Sequence, residues 1–258
     1  MTNINYTVEG NGKTIVLIHG LSDTLNYWDK LVIKLKDKYR IIRYDLRGHG
    51  KSSLGHDDIS IDTYTNDLYE ILDKENINRI SIVGFSLGSS IGLNFTIKYP
   101  EKVSSLILLS TIDHLTPHQK ILFTNLRNAL NNSFADYFDM ILPMIYCPKY
   151  IEDNKDEFEI IKEYASDVVD CNAFIKAIDA IISLDLNDKV QKISTPTLML
   201  AGKYDEICPL DMQQQIHNNI NKSELIVFEN LKHNLLVEDN TKKILMILEK
   251  FLKKQVID

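Results

Sequence analysis

Apolar residues recur along this chain in two rhythms. Short runs rich in Ile, Val and Leu occupy 14–18, 39–44, 79–83, 104–109, 197–200 and 224–228. Most are continuously apolar rather than alternating, the pattern of strands covered on both faces in a parallel sheet. Between them apolar residues return at helical spacing, as in Trp28, Leu31, Val32 and Leu35, in Tyr64, Leu68, Ile71 and Leu72, and in Ile244, Leu245, Ile247, Leu248 and Phe251. Strand and helix alternate, which predicts an α/β fold with a mostly parallel central sheet and helices on both faces. Residues 3–9 read as an antiparallel edge strand, ended by the turn signal Gly10-Asn11-Gly12.

The alternation stops between Asp113 and Lys192. Residues 119–130, 134–145, 157–169 and 173–184 carry helical periodicity with almost no strand signal, and the strand rhythm resumes after Pro196. The predicted organisation is one core assembled from 1–112 and 193–258, with 113–192 as a helical insertion. A chain of 258 residues, 44% of them hydrophobic, suffices for one sizeable core.

Charge and cysteine usage narrow the function. The chain holds 29 Lys and Arg against 36 Asp and Glu, a net charge of −7, with the basic residues scattered. That balance points away from nucleic acid and from an anionic membrane surface. No apolar run approaches the roughly 18–20 residues needed to span a bilayer. The opening MTNINYTVEGNGK lacks the basic start and apolar core of a secretory signal. Cys147, Cys171 and Cys208 are odd in number, widely spaced and without zinc-ligand spacing. They read as reduced thiols of a cytoplasmic protein, with no metal site and no cofactor expected. Nothing in the pattern speaks to oligomeric state.

The candidate chemistry begins at the run 79–83, which leads straight into Gly84-Phe85-Ser86-Leu87-Gly88 and then into a helical stretch over 89–99 ended by Pro100. A serine nucleophile on a tight strand-to-helix turn needs small residues two positions to either side. The helix that follows aims its free N–H groups and positive dipole end at the reacting oxygen. Upstream, 14–18 ends in His19-Gly20-Leu21-Ser22. A turn there presents the Leu21 N–H to the same space, so the backbone N–H groups of Leu21 and Leu87 form a candidate oxyanion hole. His19 reads as a structural buttress of that loop.

Serine is a weak nucleophile at its own pKa and needs a base, which in turn needs an orienting acid. The run 197–200 leads to Asp205 through Ala201-Gly202-Lys203-Tyr204, and 224–228 leads to His233. Each residue falls in the loop beyond a strand's C-terminal end, where open parallel sheets place their sites. Singly, a loop Asp or loop His is ordinary. In the order Ser, Asp, His, each after its own strand, they make a triad of Ser86, Asp205 and His233. Glu206 and Asp113 are alternative acids at neighbouring or topologically similar positions, ranked below Asp205.

These motifs together resemble the α/β-hydrolase superfamily, over nearly the whole chain. His19-Gly20 with Trp28 matches an H-G…W pattern. Asp45-Leu46-Arg47-Gly48-His49-Gly50-Lys51-Ser52 matches D-x-R-G-x-G-x-S, and Gly202, Asp205 and Pro209 match the acid loop. His49 in the second motif reads as part of a structural turn. Within the superfamily the chain looks most like small bacterial carboxylesterases and enol-lactonase-type hydrolases. The resemblance implies that 113–192 is a helical cap over the site. Ser22 stands where many relatives have a second glycine, and Lys232 precedes the histidine where glycine is usual. A Ser nucleophile followed by Leu87 rather than Trp argues against dehalogenase and epoxide-hydrolase chemistry.

The expected activity is serine-dependent cleavage of a carboxylic ester or lactone of a small, largely apolar substrate. Trp28, Tyr137, Phe138 and Tyr146 are candidate substrate contacts. Most aromatic residues at helical spacing in the insertion are expected simply to pack its helices together. The same triad also serves lyases and cofactor-free perhydrolases or haloperoxidases. A ligand receptor with slow turnover is the alternative outside conventional enzymes.

Overall fold

The computed structural model describes residues 2–254, apart from the side chains at 238 and 239; residues 1 and 255–258, at the ends of the expected core segments, lie outside the described residues. Seven strands, β1 (Tyr6–Glu9), β2 (Thr14–Ile18), β3 (Arg40–Tyr44), β4 (Ile80–Phe85), β5 (Val103–Leu109), β6 (Thr197–Gly202) and β7 (Ser223–Phe228), form one sheet in the order β1-β3-β2-β4-β5-β6-β7. Only β1 runs antiparallel, with Tyr6 opposite Tyr44. The strands lie within a few residues of the sequence expectations, because most carry a nearly unbroken apolar run; β1 and β3, with Glu9, Arg40 and Arg43, do not. In β2, Val16 and Ile18 face one hydrophobic cluster while Ile15 and Leu17 face the other. That two-residue period with both faces apolar is what a doubly covered strand requires.

The two faces are covered by different helices. On one face lie α1 (Asp29–Leu35) and α10 (Glu238–Lys254), contributing Leu31, Val32, Leu35, Ile244, Leu248 and Phe251. On the other lie α2 (Ile61–Lys74), α3 (Leu87–Lys98) and α9 (Leu210–Asn219). The chain moves from β2 to β3 on one side, then returns to place β4 on the other side of β2. The C-terminal ends of β2 and β4 therefore border the point where the strand order reverses, the crevice in which such sheets bind ligands.

Between β5 and β6 the chain forms five helices, α4 (Pro117–Asn132), α5 (Phe134–Ile145), α6 (Pro148–Asp153), α7 (Lys155–Val168) and α8 (Cys171–Ile182). Their starts follow from local chemistry. Thr116, Ser133 and Asp170 each accept a hydrogen bond from a backbone N–H in the first turn of α4, α5 and α8. Pro117 occupies the first turn of α4, where its missing N–H costs nothing. The Arg127–Asp179 ion pair, at 2.7 Å, joins α4 to α8. Among the described residues no helix is long and apolar enough to cross a membrane.

Candidate active site

Ser86 lies between β4 and α3 with φ 53° and ψ −118°, a conformation that a side-chain-bearing residue rarely adopts. The flanking glycines make the turn possible. A Cβ on Gly84 would stand 2.4 Å from the Gly88 carbonyl oxygen, and one on Gly88 would stand 2.2 Å from the Ile18 carbonyl oxygen. The Ser86 N–H is held by the Leu109 carbonyl at 2.9 Å, which ties the turn to β5. The result is a hydroxyl projected above the end of the sheet, with α3 beginning at Leu87 directly behind it.

His233 meets that hydroxyl. Its Nε2 is 2.9 Å from Ser86 Oγ, and its Nδ1 lies 2.9 and 3.0 Å from the two Asp205 carboxylate oxygens. A carboxylate only accepts, so this pairing assigns the proton to Nδ1 and leaves Nε2 to accept from the serine. Asp205 is fixed in turn by the N–H groups of Ile207 and Cys208, at 3.0 and 2.8 Å from Oδ1. The two alternative acids are engaged elsewhere. Glu206 pairs with Lys232, and the Asp113 carboxylate lies 2.7 Å from His114 Nδ1.

Two features hold the acid and base loops against each other. A Cβ on Gly202 would fall 1.9 Å from the Lys232 carbonyl oxygen, so the strand leading to Asp205 and the loop carrying His233 touch backbone to backbone. Lys232 donates from Nζ to the Pro143 carbonyl at 2.7 Å as well as pairing with Glu206. It therefore links the histidine loop to α5. Ser110, at φ 51°, donates from Oγ to the His233 carbonyl at 2.7 Å. Sequence reasoning missed Ser110, since a serine just past a strand carries no distinguishing signal.

The His19-Gly20 loop is braced beside the serine. Gly20 packs on Phe85 and Ser86, with 3.0 Å from a built Cβ to the Phe85 ring and 3.3 Å to the Ser86 Cβ. His19 Nε2 accepts from the Leu46 N–H at 2.9 Å, so Nδ1 carries the proton and donates to the Gly20 carbonyl at 2.7 Å. Burial depresses its pKa to about 4, against the raising effects of the Gly20 carbonyl and Asp45. His49, 5.4 Å away ring to ring, is depressed to about 3 by burial and then by His19. Ser22 adopts φ 61°, which explains why a glycine suits this position, and its Oγ donates to the Leu21 carbonyl at 2.7 Å.

The loop 45–52 is a structural brace. The Asp45 carboxylate accepts from Leu25 N–H, Lys51 N–H and Asn5 Nδ2 at 2.7–2.9 Å. Gly50, at φ 52°, approaches so closely that a Cβ would lie 2.4 Å from that carboxylate. Arg47 forms a buried pair with Asp67, and the His49 ring stacks on Phe174 of α8 at 4.7 Å.

A cavity of about 70 Å³ opens beside Ser86 and His233. Its floor includes Leu21, Ser22, Asp23 and Phe85, and its roof is Phe123 of α4, Ile141 and Ile145 of α5, Tyr146, and Ile181 of α8. One water needs about 10–15 Å³ by this measure, so the enclosed space admits only a few heavy atoms. Of the four aromatic candidates, Tyr146 lines the cavity. Tyr137 is buried behind it and meets Ser22 Oγ through its hydroxyl at 3.1 Å. Phe138 instead packs among Phe134 and Phe158 within the insertion. Trp28 is fully buried in the cluster between the sheet, α1 and α10, where it meets Tyr27 edge-on at 4.8 Å. Its indole is too deep to touch anything in the cavity. Phe123, Ile181 and Asn234 reach the cavity without having been singled out.

Asn234 connects floor to roof. It donates from Nδ2 to Tyr146 Oη at 2.8 Å, accepts from Tyr27 Oη at 3.1 Å, and donates its N–H to the Ile145 carbonyl at 3.1 Å. Asp205, Cys208 and His233 also place potential metal-ligand atoms within 4.8 Å of one another. Both Asp205 oxygens already face His233 and two backbone N–H groups, and burial, then the Asp205 charge, push the Cys208 thiol well up. Metal binding there would take apart the hydrogen-bonded chain that reaches Ser86.

Comparison with known proteins agrees with this architecture. Residues 13–143 match the family model described as alpha/beta hydrolase fold. The chain is 26% identical over 218 residues to a putative carbamate hydrolase, RutD, of Rhizobium rhizogenes, covering 83% of each chain. It is 26% identical over 230 residues to 3-oxoadipate enol-lactonase 2 of Acinetobacter baylyi, covering 88% of this chain and 85% of that protein. The crystal structure of MGS-M2, an alpha/beta hydrolase from a Medee basin deep-sea metagenome library, superposes with a TM-score of 0.92 at 23% identity, covering 98% of this chain and 94% of the other. With its sheet order, its strand-to-helix serine turn and these matches, the chain belongs to the α/β-hydrolase fold family and is a hydrolase of that type.

Proposed function

We propose that this protein is a serine hydrolase that cleaves a carboxylic ester or lactone of a small, largely apolar substrate through an acyl-enzyme. The observation that carries the reading is the hydrogen-bonded chain from Asp205 through His233 to a strained Ser86 hydroxyl at the cavity wall. His233 Nε2 takes the hydroxyl proton as Ser86 Oγ bonds to the carbonyl carbon. The C=O electrons move onto oxygen, where the Leu21 and Leu87 N–H groups receive the charge. Collapse of the tetrahedral intermediate breaks the bond to the leaving oxygen, which His233 protonates. Water, deprotonated by the same nitrogen, then attacks the acyl-enzyme and releases the acid. Asp205 fixes the Nδ1–H tautomer and stabilises the imidazolium.

In this reading 1–112 with 193–258 is the catalytic core and 113–192 is a cap that selects the substrate. Tyr146 is a substrate contact on the cap side. The three free cysteines, Cys147, Cys171 and Cys208, fit a reduced, cytoplasmic setting. Burst and steady-state hydrolysis of a short p-nitrophenyl ester series tests the reading. Turnover by the wild type that disappears in Ser86→Ala and His233→Ala, with both variants folded, supports it. Turnover that survives Ser86→Ala, or none in the wild type, overturns it in favour of lyase or receptor function on the same triad.

A further inference from the structure

One polar group in the cavity has no task in the acyl-transfer cycle. Asp23 lies two residues beyond Leu21 and lines the cavity with Ser86 and His233, and its carboxyl acts electrostatically on the cavity residues His233 and Tyr146. Among the described residues that carboxyl has no hydrogen-bond or ion-pair partner. Among the described residues, the fully buried carboxylates are all engaged. Asp45 takes three N–H donors, Asp67 pairs with Arg47, Asp113 with His114 and Asp205 with His233. No lysine or arginine lines the cavity, and most of its remaining wall is apolar.

The titratable groups that act on Asp23 are His233 from the loop after β7, Tyr27 from the turn before α1, and Tyr137 and Tyr146 from α5 and its C-terminal end. Protein surrounds the carboxyl even though it keeps some contact with the cavity. Burial therefore raises its pKa to about 7, against the lowering effect of His233. A carboxyl poised there is close to half ionised at neutral pH. Presenting the charged form to a ligand then costs only about a factor of two in affinity.

We propose that Asp23 reads charge in the substrate cavity, and that the preferred substrate carries a small ammonium group set against this carboxylate on an otherwise apolar body. This rests on the reading of the cavity as the substrate site of a serine hydrolase. An ammonium brings up to three donors to a carboxylate that has none, and the pair is shielded from water. An anionic substrate meets the only free carboxyl of the wall and no cation. A neutral hydrogen-bond acceptor is repelled by the ionised half of the population.

The test uses the whole protein and two matched probes, n-propylammonium and 1-propanol, which have the same number of heavy atoms. Binding is read from the ligand dependence of the thermal unfolding midpoint, which needs no turnover. At pH 8 the wild type should bind propylammonium at least about tenfold more tightly than propanol. Between pH 8 and pH 6 the affinity for the cation should fall about tenfold as the carboxyl protonates, while that for propanol stays level. Asp23→Asn should abolish both the cation preference and its pH dependence, although it keeps His233. Asp23→Ser gives the same comparison should the amide disturb folding. Equal binding of the two probes by the wild type, or a preference that survives in the variants, overturns the proposal. Ser86-dependent hydrolysis of p-nitrophenyl acetate, run in parallel, separates the two readings. Turnover without cation preference sinks the role of Asp23 alone, whereas cation preference without turnover sinks the serine-esterase reading and leaves Asp23 as a cation-binding group without that substrate.

Discussion

The floor and the roof of the cavity are built on different terms. The floor is made by loops that follow β2, β4, β6 and β7, each pressed against another backbone. Gly84, Gly88 and Gly202 leave no room for a larger residue, Gly20 packs tightly on Phe85, and Ser86 and Ser110 sit at positive φ. The roof is made by α4, α5 and α8, ordinary amphipathic helices whose apolar residues happen to end at the cavity. Chemistry is therefore fixed at the level of the backbone, where few sequences comply. In the proposed reading, selectivity rests on side chains that many sequences could supply.

The largest effect that would break this contrast lies in the floor. Ser86→Ala keeps the Cβ and the turn, so folding should be retained while ester turnover falls by about 10³-fold or more. A stopped-flow or steady-state assay with p-nitrophenyl acetate reads it directly. Loss of turnover without loss of the unfolding midpoint places the effect in chemistry. A similar loss from an apolar substitution in the roof would erase the distinction.

Next comes the acid response of the brace that joins the two regions. His19 and His49 have folded pKa values near 4 and 3, below the ordinary value of 6.5. The unfolded chain therefore binds more protons between pH 6.5 and those values, and the stability that their neutrality contributes is present above pH 6.5 and lost as pH falls. From pH 7.5 to pH 5 each loses about 2 kcal/mol. Asp23, Asp67 and Asp113 have raised pKa values and pull the opposite way, so the total slope is not the test. The cost of His49→Gln, measured by urea unfolding, should instead shrink by about 2 kcal/mol between pH 7.5 and pH 5. A cost independent of pH would show that His49 is not held neutral in the fold.

Gly202→Ala should destabilise by about 2–3 kcal/mol, because the new Cβ meets the Lys232 carbonyl and no flexible side chain can yield. The same push separates the Asp205 and His233 loops, so turnover should fall together with the urea midpoint. An alanine at 202 tolerated in both measurements would mean that the backbone contact does not set the triad.

This difference between floor and roof also decides what could be read from the sequence. The six parallel strands were legible because each centres on a run of Ile, Val and Leu, which continues unbroken where both faces are covered, as in β2. The meeting of Ser86, Asp205 and His233 was legible because the G-x-S-x-G turn and the strand-to-loop order both leave marks in sequence. Trp28 was not: its place after His19-Gly20 put it near the site along the chain, but the turn at Leu25–Trp28 sends the indole into the cluster between the sheet, α1 and α10. Phe138 was not, since an aromatic on a roof helix can equally face a neighbouring helix. Helix α9 escaped notice because its buried stripe is only Met212, Gln213 and Ile216 among polar residues. Asp23 escaped because an acidic loop residue is ordinary until its neighbours in space are known.

The smallest effect sharpens the contrast from the roof side. Tyr146→Phe keeps the ring at the cavity wall but removes the oxygen that accepts from Asn234 Nδ2. One donor on Asn234 is left without its partner, at a cost of about 1 kcal/mol. Asn234 still holds the Ile145 carbonyl and Tyr27, so the histidine loop keeps its main anchors to the roof. If the roof governs binding alone, KM for a short ester should rise about three- to fivefold with kcat nearly unchanged, the signature of an interaction made equally in ground and transition states. If kcat falls in step with kcat/KM instead, the Asn234–Tyr146 link is positioning His233. The boundary between floor and roof would then run through α5 rather than beneath it.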